Sequence, residues 1–489
     1  MNPDFVNNKL ELVKYPRWMF VIFPSLAMML GWGLRGHIGG GPFGAMIPGA
    51  MVALSISLLL ELPVAATSIL VVLGVFGIGL GGEMTYGQTL GFLRNPETVW
   101  WGTTGTTVKG AVWGLLGGAV FAIGFLFRRI PPKTMILTFL LLMIGMYMGF
   151  KLINDPMIIY FSDPANPRPE SWGALLVGAI ALLLFLKFKL KKGDFKIIFR
   201  FAMLGMIGGG LGFGLGGFWM VMGSNMPDVI FKSWWKAMEF TFGFLLGGSL
   251  GYAAWLSRNE LKAIAEKDWK IPDAPFQSVC IELGFTLLAG IVTYWLIPKS
   301  LEPFVDGAND NDGFILSALR DISRLLVNYA FYGFLFVLMI IKFPKIAWQI
   351  GITLTFCHAA IDLSRDFFPD TNTSTPFTLH FLIVFLMTTA VALLVAYFSR
   401  KENSIQNMFL VLIWSCILVS FLRMEIKTEK LSIEGLSFCQ VVCGRFIVDI
   451  FFTVSAIIVS WMILQKIHSV KHEKQRITKT NYPDLLCIV

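Results

Sequence analysis

The sequence predicts an all-α polytopic membrane protein with about fourteen transmembrane helices. Three observations predict it. Of 489 residues, 55% are hydrophobic and only 15% charged, with a mean hydropathy of +0.69. Apolar runs of about 20 residues recur along the chain, long enough to span a bilayer. Lys and Arg collect in alternate loops between those runs, as the positive-inside rule requires.

The runs follow in order. The first eight are residues 17–34, 43–60, 64–82, 107–127, 133–151, 172–188, 197–222 and 235–256. Six more are 276–297, 322–341, 346–363, 377–398, 405–422 and 445–467. Residues 1–258 form a Gly-rich N-terminal part of about eight spans, and 259–275 a charged cytoplasmic connector. Residues 276–468 form a C-terminal part of about six spans, and 469–489 a polar cytoplasmic tail. The first run follows Lys9, Lys14 and Arg17 without a small-residue cleavage pattern, so it reads as a span and not a signal peptide. The final Cys487-Ile488-Val489 is one residue short of a prenylation box.

Most of the 40 Lys and Arg lie in one set of loops, including Arg128, Arg129, Lys133, Arg258, Lys342, Lys345 and Arg400. The other set holds acids such as Asp155, Asp163, Glu302 and Asp370. This asymmetry predicts cytoplasmic termini and a plasma (inner) membrane location. It also accounts for the net charge of +9 without nucleic acid, because the cations flank spans and do not interleave with aromatics in a soluble domain.

Gly77-Ile78-Gly79-Leu80-Gly81-Gly82-Glu83 organises the N-terminal part. Related stretches are Gly31-Trp32-Gly33-Leu34-Arg35-Gly36-His37 and Gly212-Phe213-Gly214-Leu215-Gly216-Gly217-Phe218. After the second and third come a tryptophan pair (Trp100-Trp101, Trp234-Trp235) and a helix with Leu-Leu-Gly-Gly (Leu115 to Gly118, Leu245 to Gly248). A weaker copy runs from Gly145 through Trp172. The pattern reads as repeated helical hairpins in one orientation. The glycines suit close helix packing. With no preceding strand they are not a dinucleotide motif.

Each motif ends at the outer face, so its last position is the chemically variable one. Around these ends lie Arg35, His37, Glu83, Tyr86, Gln88, Asn95, Trp100, Lys109 and Asn225. Charges at the lip of apolar helices are costly unless paired or hydrated, which makes them candidates for solute binding. Arg35 and Glu83 stand first. The competing expectation is that Arg35, Glu83 and Lys109 pair with one another and fix the packing. Trp100, Trp101, Trp172 and Trp234 fit an aromatic belt, or a stacking surface for a sugar.

In the C-terminal part, His358, Asp362 and Arg365 fall on one helix face, with Asp366 a turn beyond. Asp321, Arg324 and Asn328 show similar spacing one helix earlier. No metal-ligand spacing accompanies them, so neither metal nor cofactor is expected. Cys280, Cys357 and Cys416 read as small core residues, and Cys439 and Cys443 as a pair four apart.

These features predict a transporter of a small polar or anionic solute with an outward-facing cavity. Arg35 and Arg324 would hold the solute, and Glu83, Asp362 or His358 would carry a proton or ion. The alternative is a membrane-embedded enzyme acting outside on a glycan or lipid-linked substrate, with Glu83, His37, His358 and Asp362 as acid–base groups. Membrane lipids are the other expected partner.

Overall fold

The structure is a computed structural model. It describes residues 15–481 apart from 39, 85, 164, 166–167, 226–233, 270–277, 306–313, 369–376, 429–434, 436 and 443–446. Every regular element among the described residues is a helix. In chain order the helices are α1 (Arg17–Ile38), α2 (Gly41–Gly44), α3 (Met46–Leu60), α4 (Val64–Leu80), α5 (Gly87–Gly91) and α6 (Val99–Phe125). Then come α7 (Pro132–Gly149), α8 (Trp172–Lys189), α9 (Lys192–Asn225), α10 (Trp234–Leu256), α11 (Arg258–Asp268), α12 (Val279–Ile291) and α13 (Ile297–Val305). The last are α14 (Phe314–Leu326), α15 (Tyr329–Lys342), α16 (Leu354–Phe367), α17 (Phe377–Phe398), α18 (Ser404–Thr428), α19 (Phe438–Val441) and α20 (Ile447–Asn481).

Among the described residues eleven helices are long and apolar enough to cross a membrane, or twelve if the bent pair α14–α15 counts as one span. That is the pattern of a multi-pass integral membrane protein. Two further expected runs are helical but fall outside this count. Glu239 and four glycines lower the hydropathy of α10. In α20 the apolar stretch is confined to Ile450–Gln465. The third difference is the break between Leu326 and Tyr329, which bends the tenth expected run by 61°.

Helix α3 is buried along its whole length, and α4 nearly so. Both are apolar all round, as a helix inside a bundle must be. Around them the helices meet through glycines spaced by four. Gly110, Gly114 and Gly118 of α6 face Gly209, Gly205 and Phe201 of α9, backbone to backbone. Gly243, Gly247 and Gly251 of α10 face the main chain of α1 at Met29, Pro24 and Phe20. Gly145 and Gly149 of α7 meet α8 in the same way, and Gly49 of α3 meets Gly74 of α4. Spacing by four puts these glycines on one helix face, where axes can approach closely.

One end of the bundle is strongly cationic. There Arg129 bridges Asp194 at 3.0 Å and Asp268 at 2.5 Å. Burial works against the Arg129 charge, but its hydrogen bonds and the two carboxylates outweigh this and raise its pKa. Arg128 lies over the Trp269 ring, and Arg258 over Trp255. Helix α11 lies across this end with Leu261 and Ile264 buried. Glu83 sits at the opposite end.

Candidate functional site

The last turns of α1 deliver Arg35 into an aromatic box. Its side chain is 3% exposed. Nε and Nη2 each donate to the Gly41 carbonyl at 3.3 Å, and Nη1 donates to the Tyr86 hydroxyl. The rings of Trp32, Tyr86 and Trp113 stand 5.6, 5.5 and 5.7 Å from the guanidinium carbon. No carboxylate pairs with Arg35 among the described residues. Ring faces and a carbonyl offset the cost of the buried charge. Among the described residues three of its five N–H donors are engaged, which leaves two for another acceptor. Gly41 makes this possible. Its φ of +67° turns the chain from α1 into α2 and presents the carbonyl to Arg35.

Tyr86 lies between the spans ending at Glu83 and starting at Val99. Burial raises its pKa, the Arg35 charge lowers it, and Glu239 raises it again, with a net rise. Glu239 is 1% exposed and pairs with Lys236 at 2.8 Å, while Lys236 also donates to the Gly33 carbonyl at 3.0 Å.

Glu83 ends the 3-10 turn that follows α4. Its Oε1 accepts the backbone N–H of Tyr329 at 3.0 Å. Tyr329 is the first residue of α15, immediately after the helix break. Asn328 caps the same helix, with its Oδ1 accepting from Ala330 N at 2.8 Å. The carboxylate therefore satisfies a donor that a helix start leaves open, at the positive end of the helix dipole. The Tyr329 hydroxyl donates to the Val75 carbonyl at 2.9 Å, in a notch left by Gly79. No cation pairs with Glu83 among the described residues.

Helix α2 joins the two groups of candidates. The Gly41–Pro42 backbone packs against Gly82, one residue before Glu83. The next residue, Phe43, stacks on His358 with centroids 4.5 Å apart. Its ring also lies 5.1 Å from Tyr329, 5.5 Å from Tyr294 and 5.9 Å from Tyr332. His358 Nε2 is 3.5 Å from an Asp362 carboxylate oxygen, one helical turn on. The Tyr332 hydroxyl is buried here with no hydrogen-bond partner among the described residues. The turn at residues 41–44 thus meets Arg35 through Gly41, the chain before Glu83 through Pro42, and His358 through Phe43, with Tyr86 bonded to Arg35 and Asp362 paired with His358.

The chain matches no known protein family, curated protein or solved structure. Its function must therefore be argued from these residues. Among those described, no three His, Cys, Asp or Glu side chains gather as metal ligands would.

The other candidates are placed apart from this turn. Lys109 lies ten residues into α6, about 15 Å along its axis. It pairs with Glu170 at 2.6 Å and donates to Thr89 Oγ1 at 2.8 Å, not with Arg35 or Glu83. Glu170 also accepts from Phe161 N and Ser162 Oγ. Ser171 donates to the Glu83 carbonyl at 2.7 Å, which ties this polar plug to the site. Asn95 closes a local turn by accepting from Glu97 N, and Asn225 Nδ2 bonds the Val221 carbonyl of its own helix. Trp100, Arg324 and Arg365 are exposed, and Gln88 is half-buried. The side chains of His37 and Asp366, and all of Cys443, lie outside the described residues.

Sequence reasoning missed Glu170, Phe43, Tyr294 and Tyr329. Glu170 sits in a loop with no period to mark it. The three aromatics look like ordinary span residues. The one available signal was Asn328, a residue suited to an N-cap inside an apolar run.

Proposed function

We propose that the protein is a membrane transporter of a small polar or anionic solute. The observation that carries this reading is the broken helix α14–α15, where the α15 N-terminus meets a Glu83 carboxylate that pairs with no cation among the described residues, near a buried guanidinium. Half-helix ends inside a membrane supply backbone donors and a positive dipole, and transporters use them to hold anionic groups. In this reading the solute's anionic group binds the free donors of Arg35. Glu83 leaves Tyr329 when it takes up a proton or cation, which frees the α15 N-terminus for the solute. Trp32, Tyr86 and Trp113 keep water from the guanidinium.

The reading includes about fourteen spans, with α10 and α20 completing the count, and repeated hairpins in the N-terminal part. It sets the cationic end in the cytoplasm, with both termini, and opens the Glu83 end to the outside of a plasma (inner) membrane. The test is uptake into proteoliposomes from a panel of organic acids, amino acids and sugars. Saturable uptake by the native chain, abolished in Glu83→Gln and in Arg35→Gln, is expected. Absence of uptake for every solute, with cleavage of a glycan or lipid-linked compound instead, would transfer the case to the alternative.

That alternative is an enzyme at the same end. The His358–Asp362 pair favours it, because a carboxylate that orients an imidazole is an acid–base arrangement. His358 is stacked under Phe43. Substrate would have to displace that ring, which weighs toward transport.

A further inference from the structure

A concave site lies near the helix break, in the C-terminal part. It is a cleft of about 500 Å³, within the size range of small-molecule pockets. Its walls include Tyr294 and Trp295, Lys299 and Glu302 of α13, Val327 at the break, and Arg365 at the end of α16. A π-helical turn, Val292–Leu296, supplies the two aromatics. Such turns add one residue to a helix, re-aim its side chains and recur at functional sites.

Both rings are held. The Tyr294 hydroxyl donates to the Leu354 carbonyl at 2.8 Å, and Trp295 packs on Phe381 at 5.2 Å. Lys299 and Glu302 lie three apart on α13, so their fields largely offset each other within the cleft. Arg365 is different. It is exposed, lines the cleft and has neither an ion pair nor a hydrogen bond among the described residues. A guanidinium fork beside fixed aromatic walls suits a planar carboxylate that is bonded at its oxygens and stacked along its body.

We infer that this cleft binds a carboxylate carried on a flat, largely apolar ring. As the first docking place of a transported solute it rests on the transport reading. Tyr294 lies between the cleft and Phe43, whose ring touches Tyr329 and His358. The cleft and the Glu83 site are thus separated by a layer of aromatic rings.

The experiment is calorimetric titration of the full chain in lipid nanodiscs with benzoate, phenylacetate and indole-3-acetate, and with neutral benzamide as the comparison. At least one carboxylate is expected to bind with a Kd below about 10 mM, about tenfold tighter than benzamide. Arg365→Gln should remove that preference. Arg365→Lys should keep part of it, because the charge remains and the fork does not. Trp295→Leu should weaken severalfold each carboxylate that binds. Arg365 is exposed, so its variants should melt with the native chain, and Glu83→Gln should still bind. No binding by any of the three, equal binding of benzamide, or unchanged binding in Arg365→Gln each overturns the inference. Glu83-dependent uptake without carboxylate binding removes the cleft alone. Arg365-dependent binding without uptake of any solute removes the transport reading alone.

Discussion

The Glu83 carboxylate accepts the backbone N–H of Tyr329 at 3.0 Å across 246 positions of sequence. This bond joins the end of a glycine motif to the start of a half-helix. It is a structural contact and a candidate switch at once, and the two roles separate by mutation. Glu83→Gln retains an acceptor for the Tyr329 N–H but loses the charge. It should melt within about 1 kcal/mol of the native chain and yet lose transport. Glu83→Ala removes a helix cap and should cost about 0.5–2 kcal/mol as well. Native uptake in Glu83→Gln would reduce the residue to a cap.

The Lys109–Glu170 pair is buried on both sides, with side chains 1% exposed. Removing one partner leaves the other charge buried without its counter-ion, beside neutral hydrogen bonds from Phe161 and Ser162 to Glu170 or from Lys109 to Thr89. Lys109→Met should therefore destabilise by about 3–5 kcal/mol. The double variant Lys109→Met/Glu170→Met should recover much of that loss, and the cycle should be strongly non-additive. Thermal unfolding in nanodiscs measures all four corners. Additive costs would show that the pair is not coupled.

The multi-span helical character was legible because it rests on hydropathy, a local property. The glycine spacing was legible for the same reason: Gly110, Gly114 and Gly118 recur by four. Glu83 and Arg35 stood out because charge at an apolar helix end has no bland local explanation. Their partners did not. Lys109 finds Glu170 only because the loops around Thr89 and Phe161 fold into the bundle. Arg35 binds a carbonyl and aromatic rings, and among the described residues it has no acidic partner. The helix break was hidden because Val327 and Asn328 scarcely interrupt the hydropathy of residues 322–341. The Phe43–His358 contact is tertiary, and nothing in its spacing records it.

Glycine substitutions separate packing from loop freedom. A Cβ at Gly114 would overlap the Gly205 carbonyl, whereas one at Gly87 meets open space. Gly114→Ala must push α6 from α9, which are backbone to backbone there, and should cost about 1–3 kcal/mol. Gly87→Ala should melt like the native chain. Equal melting of both variants in nanodiscs would contradict the close packing.

Gly41→Ala probes backbone alone. Nothing lies within reach of a new Cβ, but φ is +67°, where an L side chain is strained. The cost should be about 1 kcal/mol, and any relaxation moves the carbonyl that holds Arg35. Solute affinity should therefore fall more than melting temperature does. A variant that loses stability with unchanged affinity would detach the Gly41 carbonyl from the binding role of Arg35.

At the cationic end, the Glu282 carboxylate is shared by Gln349 at 2.7 Å and Arg400 at 2.6 Å, which links α12, the π-helical turn Gln349–Thr353 and the end of α17. The two charges are not equally trapped. The side chain of Glu282 is 4% exposed and that of Arg400 is 24%. Losing the acid leaves Arg400 able to turn to water while keeping the Ala396 carbonyl, and Gln349 keeps its bond to the Ala392 carbonyl. Losing the base leaves the nearly buried carboxylate with Gln349 as its remaining side-chain partner among the described residues. Glu282→Ala should therefore cost about 1–3 kcal/mol and Arg400→Ala about 3–5 kcal/mol. Arg400→Ala is best compared with Arg400→Ala/Glu282→Gln, which removes the stranded charge and should recover stability. If Glu282→Ala is the more damaging single change, desolvation of the carboxylate is not what governs this end of the bundle.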